Sequence, residues 1–229
     1  LMEITNEMSD TRITISVDEG QRVELITNTG TYDLMGKPEE EFPPLPEVDN
    51  RKASGIEANV LKEIIQTTAF AISKDDLKPA LTGVLFRFEE KKLTVVATDG
   101  HRLVRYIRND FEGKEFSGDV IIPRKFLNLM NSLLAADENV QIWMGDNNLT
   151  ASVGSDTIFT RIIDERFPDF ESVIPTDNDK EFLVEREALL SAVKRVSIFS
   201  NRSTYQIALE ISGDKAIIRT EDPEKASKA

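Results

Sequence analysis

The densest chemistry in this 229-residue chain lies in Ala97-Thr98-Asp99-Gly100-His101-Arg102-Leu103, a heptad that holds the only histidine. An acid, an imidazole and a guanidinium within four positions admit several readings. Asp99 and His101 can form the acid–base pair of a hydrolase. Alternatively, Thr98, Gly100, His101, Arg102 and Leu103 can form the lip of a binding groove, or the segment can be an ordinary turn with a solvated histidine. Acid–base catalysis needs a nucleophile or third group nearby, and spacing places none. A kinase-type catalytic loop is excluded because Leu103 follows Arg102, where the base would stand.

The elements that must hold this heptad are legible on either side of it. Val84, Phe86 and Phe88 recur at every second position and are answered by Leu93, Val95 and Ala97, so Leu81–Tyr106 reads as two strands. Glu89-Glu90-Lys91-Lys92 is the polar turn between them. Gly100 can take positive φ and end the second strand abruptly. Upstream, Ser54–Asn59 reads as a short strand. A helix follows over Val60–Ser73, with Leu61, Ile64, Ile65, Thr68, Ala69 and Ile72 on one face and Lys62, Glu63, Gln66 and Thr67 on the other. Downstream come a polar loop over Asn109–Gly118 and a strand at Val120–Ile122. A helix over Arg124–Ala135 then starts with Pro123 as its first residue and buries Phe126, Leu127, Met130, Leu133 and Leu134.

The remainder repeats. Val140, Ile142 and Met144, a turn, then Leu149, Ala151 and Val153 copy Ile13, Ile15, Val17, a turn, Val23 and Leu25. Phe42-Pro43, the expected anchor of an acid- and proline-rich connector, recurs as Phe167-Pro168 about 125 residues on. The helix of Val60–Ser73 recurs with Val60 on Leu189, Ile64 on Val193 and Phe70 on Phe199, and Leu93–Asp99 recurs as Ala216–Asp222. The chain therefore reads as a slice through a tandem array. One complete unit, about residues 51–176, has the order strand, helix, hairpin, strand, helix, four-strand meander, and partial units flank it.

Composition bounds the function. At 40% hydrophobic residues the chain can bury a real core. The absence of cysteine excludes disulfides and thiolate metal sites, and a single histidine excludes a histidine-rich metal centre, so no metal or cofactor is expected. No apolar run approaches the roughly 18 residues of a membrane span, and the N-terminus lacks a basic-then-apolar signal. A cytoplasmic protein with no membrane partner is expected. A net charge of −13 disfavours DNA binding through the whole surface, while leaving room for local basic faces.

LTGVLFRFEEKKLTVVATDGHRL, VIIPRKFLNLM, FTRIIDERFPDFESVIP and a helix ending in IFSN resemble, in order and spacing, the bacterial β sliding clamp family, the processivity factors of the replicative DNA polymerase. The resemblance covers nearly the whole chain. It implies an α+β DNA-clamp fold of tandem repeats, with helices lining a ring and antiparallel sheets outside. Residues 1–50 would be the C-terminal half of domain one and a linker, 51–176 all of domain two, and 177–229 the N-terminal half of domain three. The implied role is non-catalytic: a homodimeric ring that encircles duplex DNA without reading sequence. It would tether the polymerase catalytic subunit, the clamp loader, repair polymerases and other proteins bearing the clamp-binding motif. A scaffold domain without a DNA role is the alternative from another class.

Residue by residue, the resemblance assigns the peptide-binding pocket to Leu81, Thr98, Gly100, His101, Arg102, Leu103, Pro168, Ser172, Val173 and Thr204. Ser172 stands where a basic residue is common, and Thr204 where an aromatic is. DNA-facing candidates are Lys62, Gln66, Lys78, Arg124, Lys125, Asn128, Lys194, Arg195 and Arg202. Tyr32 and Leu34 on an edge strand, with Ile198 and Phe199 at a helix end, match the apolar residues of the dimer interface.

Overall fold

The computed structural model describes residues 2–8, 12–42, 53–111, 116–134, 139–222 and 227–228. They fall into two compact units, Leu1–Pro168 and Asp169–Ala229.

In the first unit a short helix α1 (Met2–Asn6) precedes β1 (Thr14–Val17), β2 (Arg22–Ile26) and β3 (Thr31–Met35), an antiparallel sheet of order β1-β2-β3. The alternating apolar residues predict this meander, but only Leu25 is buried, and Ile15, Val17 and Met35 are exposed. Phe42 is 75% exposed, so it does not anchor the connector. Its partner in the repeated pair, Pro43, lies outside the described residues.

Next come β4 (Ala53–Glu57), α2 (Ala58–Thr68), β5 (Gly83–Glu89), β6 (Lys92–Thr98), β7 (Leu103–Arg108), β8 (Gly118–Pro123), α3 (Arg124–Leu133), β9 (Asn139–Met144), β10 (Asn148–Val153) and β11 (Asp156–Arg161). They form two four-stranded antiparallel sheets, β7-β6-β5-β8 and β11-β10-β9-β4. Both sheets and both helices share one core: Ile64 and Ile65 of α2, Phe126, Leu127 and Met130 of α3, Phe86 and Val95 of one sheet, Val140 and Leu149 of the other. Each helix carries a single apolar stripe, so it must lie on a sheet to bury it.

Several boundaries differ from the sequence reading, each for a local reason. α2 begins at Ala58 because the strand runs directly into the helix, with Glu57 extended at the N-cap, so Ala58 and Asn59 are helical. It ends at Thr68, whose hydroxyl donates back to the Ile64 carbonyl at 2.7 Å, and tightens into a 3-10 turn over Ala69–Ala71. Pro123 is not the first helical residue; its ψ of 143° keeps it extended as the N-cap of α3. The loop after β7 is not simply polar, since Phe111 and Phe116 pack against Phe88 with ring centroids 5.8 and 5.5 Å away. Among the described residues the last meander has three strands beyond α3, not four.

The central hairpin is tighter than predicted. Glu89 pairs with Lys92, leaving a two-residue turn at Glu90-Lys91, and Phe86 faces Val95 while Phe88 faces Leu93. Burial does not alternate. Leu85 and Val96 on the opposite face are as fully buried as Phe86, and the segment after β11 runs beside the β8 edge of the sheet. There Ile163 N–H donates to the Ile121 carbonyl at 3.0 Å. Gly83 permits this approach: a Cβ would meet the Ile122 carbonyl oxygen at 2.6 Å, Ile121 Cγ2 at 2.8 Å and Ile163 Cδ1 at 2.9 Å.

The second unit contains α4 (Arg186–Ser197), β12 (Ala208–Ser212), β13 (Lys215–Arg219), β14 (Glu221–Asp222) and β15 (Ser227–Lys228). Glu185 caps α4 by accepting from the Glu187 and Ala188 N–H groups, and Lys194 and Arg195 sit in its last turn, where the helix dipole favours cations. The β12–β13 hairpin turns at Gly213 (φ +61°) and Asp214, matching the Glu90-Lys91 turn of the complete unit. Leu209, Ile211 and Ile217 are exposed.

Gly83→Ala is expected to lower the unfolding free energy by about 1–3 kcal/mol, because a backbone carbonyl and two packed isoleucine side chains must move to admit one methyl group. A urea denaturation series measures it.

Candidate functional site

β6 and β7 are joined by Asp99–Arg102, a loop fixed almost wholly by its own polar groups. Asp99 Oδ1 accepts from the His101 and Arg102 backbone N–H groups, both at 3.0 Å, and Oδ2 accepts from Arg102 Nε at 3.0 Å. Thr98 Oγ1 donates to the Arg102 carbonyl at 2.8 Å and accepts from the Gly100 N–H at 3.1 Å. These bonds make a tight Asx-type turn. Hydrogen bonds from the Arg102 and His101 backbones, with the Arg102 guanidinium beside them, hold the Asp99 carboxyl below its usual range.

The arrangement corrects the hydrolase reading. Both Asp99 oxygens are occupied by backbone N–H groups and Arg102, so the carboxylate orients the turn and not the His101 imidazole. His101 is exposed and joins the turn through its main chain. Gly100 has φ +89°, a conformation glycine adopts without strain, and no atom lies within 4 Å of where its Cβ would stand. The loop thus presents Gly100, His101 and Arg102 to solvent with Leu103 half-buried behind them.

The other pocket candidates are divided between the two units. Leu81 is buried at the close of a 3-10 turn (Pro79–Leu81), two residues before β5, and its carbonyl accepts from Ser73 N–H at 2.9 Å. That bond ties it to the segment following α2, and the same segment carries Phe70, whose ring lies 5.5 Å beneath the Arg102 guanidinium carbon. The sequence reading did not assign Phe70 to the site. Its signal was the repeat, which aligns it with Phe199, an aromatic at an exposed helix end in both copies. Pro168 is exposed at the close of the first unit. Ser172, Val173 and Thr204 belong to the second unit; Val173 is 66% exposed. Thr204 lines a depression of about 360 Å³ there with Gln206, Ala208, Arg219, Thr220 and Glu221.

The basic candidates occupy helix faces and loops. Arg124, Lys125 and Asn128 are exposed on α3, Gln66 on α2, Lys194 and Arg195 on α4, and Lys78 and Arg202 lie in exposed turns. Lys62 is half-buried and donates to the Leu134 carbonyl at 3.4 Å, so its ammonium caps the end of α3. Tyr32 and Leu34 are half-buried on β3, an edge strand of its sheet. Ile198 is 78% exposed and Phe199 43%, so neither is a core residue. Among the described residues no helix is long and apolar enough to cross a membrane.

Antiparallel sheets with a helix pair in the complete repeat define an α+β architecture, and solved structures share it. A DNA polymerase sliding clamp of Pseudomonas aeruginosa superposes with a TM-score of 0.81 at 30% identity, covering 100% of this chain and 62% of that one. That of Bacillus subtilis gives 0.83 at 26% identity, covering 99% and 60%. Residues 55–169 match the central domain of the DNA polymerase III beta subunit, and residues 171–229 its C-terminal domain. The chain belongs to the DNA polymerase III beta subunit family. The beta sliding clamp of Pseudomonas putida is 31% identical over 227 residues, 98% of this chain and 62% of that protein. The Escherichia coli K12 protein is 32% identical over 210 residues, covering 90% and 57%. The chain thus spans about three fifths of the length of these relatives.

Because the Asp99 carboxyl is held below the ordinary 3.8, its ionised form stabilises the fold fully above the unfolded value and that contribution fades as pH falls through the folded one. The stability lost in Asp99→Ala is therefore expected to be constant from about pH 7 to 5 and to shrink below about pH 4. Urea midpoints of both proteins across that range measure it.

Proposed function

We propose that this chain is part of a non-catalytic, soluble, cytoplasmic sliding clamp. In the whole protein, two copies close a ring around duplex DNA, and a hydrophobic pocket recruits the replicative polymerase, the clamp loader and repair polymerases. The observation that carries the reading is the locked 98–103 loop, with Gly100 open to solvent, in a chain of this family. Such a loop offers a firm lip over which an extended peptide can lie, while Leu81, Leu103, Pro168 and Val173 receive its apolar anchors and Ser172 and Thr204 border them. Two buried anchors at ~25 cal/mol per Å² support roughly micromolar binding, weak enough for partners to exchange.

DNA is held by enclosure. Arg124 and Lys125 on α3, Lys194 and Arg195 on α4, with Lys78 and Arg202, supply loose phosphate attraction inside an acidic shell. Lys62 joins them only if it leaves the Leu134 carbonyl. Tyr32 and Leu34 on the β3 edge meet Ile198 and Phe199 of a second copy, which accounts for apolar side chains left in solvent beside an open strand edge.

Gly100→Trp is expected to weaken binding of a dye-labelled peptide with Leu and Phe anchors at least about tenfold, since the indole would cover the lip. Gly100→Ala carries the same positive-φ strain with little bulk and should lose far less. Equal losses in the two variants would place the effect in the backbone and remove the pocket. For DNA, Arg124→Ala combined with Lys125→Ala in the full-length protein should reduce the slope of log K against log salt by about 2, one counterion per contact. An unchanged slope, or no salt dependence at all, would favour a scaffold without a DNA role.

A further inference from the structure

Glycine follows aspartate once in this chain, at Asp99-Gly100, and never follows asparagine. That dipeptide carries a reaction of its own. The glycine amide nitrogen can attack the aspartyl carboxyl carbon, because a residue without Cβ leaves the approach open, and close a five-membered imide. The N–Cγ bond forms as one carboxyl oxygen departs as water, and a second water then opens the ring at either carbonyl. One opening restores aspartate; the other leaves isoaspartate, whose main chain runs through Cβ.

The loop acts on both reacting groups. The Gly100 N–H, which must give up its hydrogen for the attack, donates to Thr98 Oγ1 at 3.1 Å. The carboxyl must be protonated for an oxygen to leave as water. Its Oδ1 is held by the His101 and Arg102 N–H groups and its Oδ2 by Arg102 Nε, each at 3.0 Å, contacts that favour the ionised form. Turning the carboxyl carbon toward Gly100 breaks these bonds together. Packing adds no comparable restraint, since no atom lies within 4 Å of where a Gly100 Cβ would stand.

We infer that Asp99-Gly100 is a site of spontaneous isoaspartate formation, and that Thr98 is a positioning residue whose hydroxyl holds the folded loop in an unreactive geometry. The reaction consumes and returns only water, and the inference stands apart from the pocket, the ring and DNA. Its consequence is local. Isoaspartate carries its carboxylate one main-chain atom away from the His101 and Arg102 N–H groups, so the Asx-type turn that shapes residues 98–103 is lost.

The full chain and a synthetic peptide of residues 96–106 would be warmed at neutral pH in heavy-oxygen water, then cleaved and weighed by mass spectrometry. Every ring opening leaves one solvent oxygen at position 99, and fragmentation separates isoaspartate from aspartate. The peptide should take up label, and the folded chain at least about tenfold more slowly, since its loop must open first. Thr98→Val keeps the branched shape but cannot accept from the Gly100 N–H; it should speed labelling of the folded chain about threefold or more. Thr98→Ser restores the hydroxyl and should restore the slow rate. Gly83→Ala lowers stability away from the loop and should leave the rate unchanged. An unlabelled peptide removes the site. Equal rates for peptide and folded chain, equal rates for the valine and serine variants, or a rise in Gly83→Ala matching that in Thr98→Val would each overturn the guarding role.

Discussion

Everything at the candidate site stands on β5 and β6, a hairpin buried on both faces. A strand pair with one wet face could shift or bend; here Phe86, Phe88 and Val95 are clamped by the helices while Leu85 and Val96 are sealed from the other side. A one-residue slip would bring different side chains to both packed surfaces at once, so register is fixed. The loop leaving β6 therefore starts from a defined position, and the few hydrogen bonds of Asp99 and Thr98 suffice to set its shape.

Charge is distributed in a way that composition conceals. The chain is strongly acidic, yet exposed cations gather in the first turn of α3, against the helix dipole, and in the last turn of α4, where the dipole favours them. Near the loop, Asp99 spends its charge on Arg102 and two backbone amides. A carboxylate and a histidine two positions apart suggest catalysis in one dimension; in three they divide, one building the turn and the other facing water.

Repetition explains both the order and the asymmetry of burial. The complete copy closes a core around α2 and α3, whereas the meander before it and the helix-hairpin after it bear the same apolar patterns with much of that surface exposed. Identical local codes thus give different burial, because burial is a property of the partner surface and not of the strand that faces it.

Side-chain type and spacing alone settled the two sheets' main strands and three of the helices, since periodicity and turn chemistry act within a few positions. What they could not settle depended on contacts distant in sequence. Gly83 has meaning only where Ile163 crosses β8, Phe111 and Phe116 become core only against Phe88, and Phe70 matters only beneath Arg102. The role of Asp99 likewise followed from which donors its oxygens met. Local conformational preference is written in consecutive residues, but burial and hydrogen-bond partnership are fixed only once separate segments are brought together.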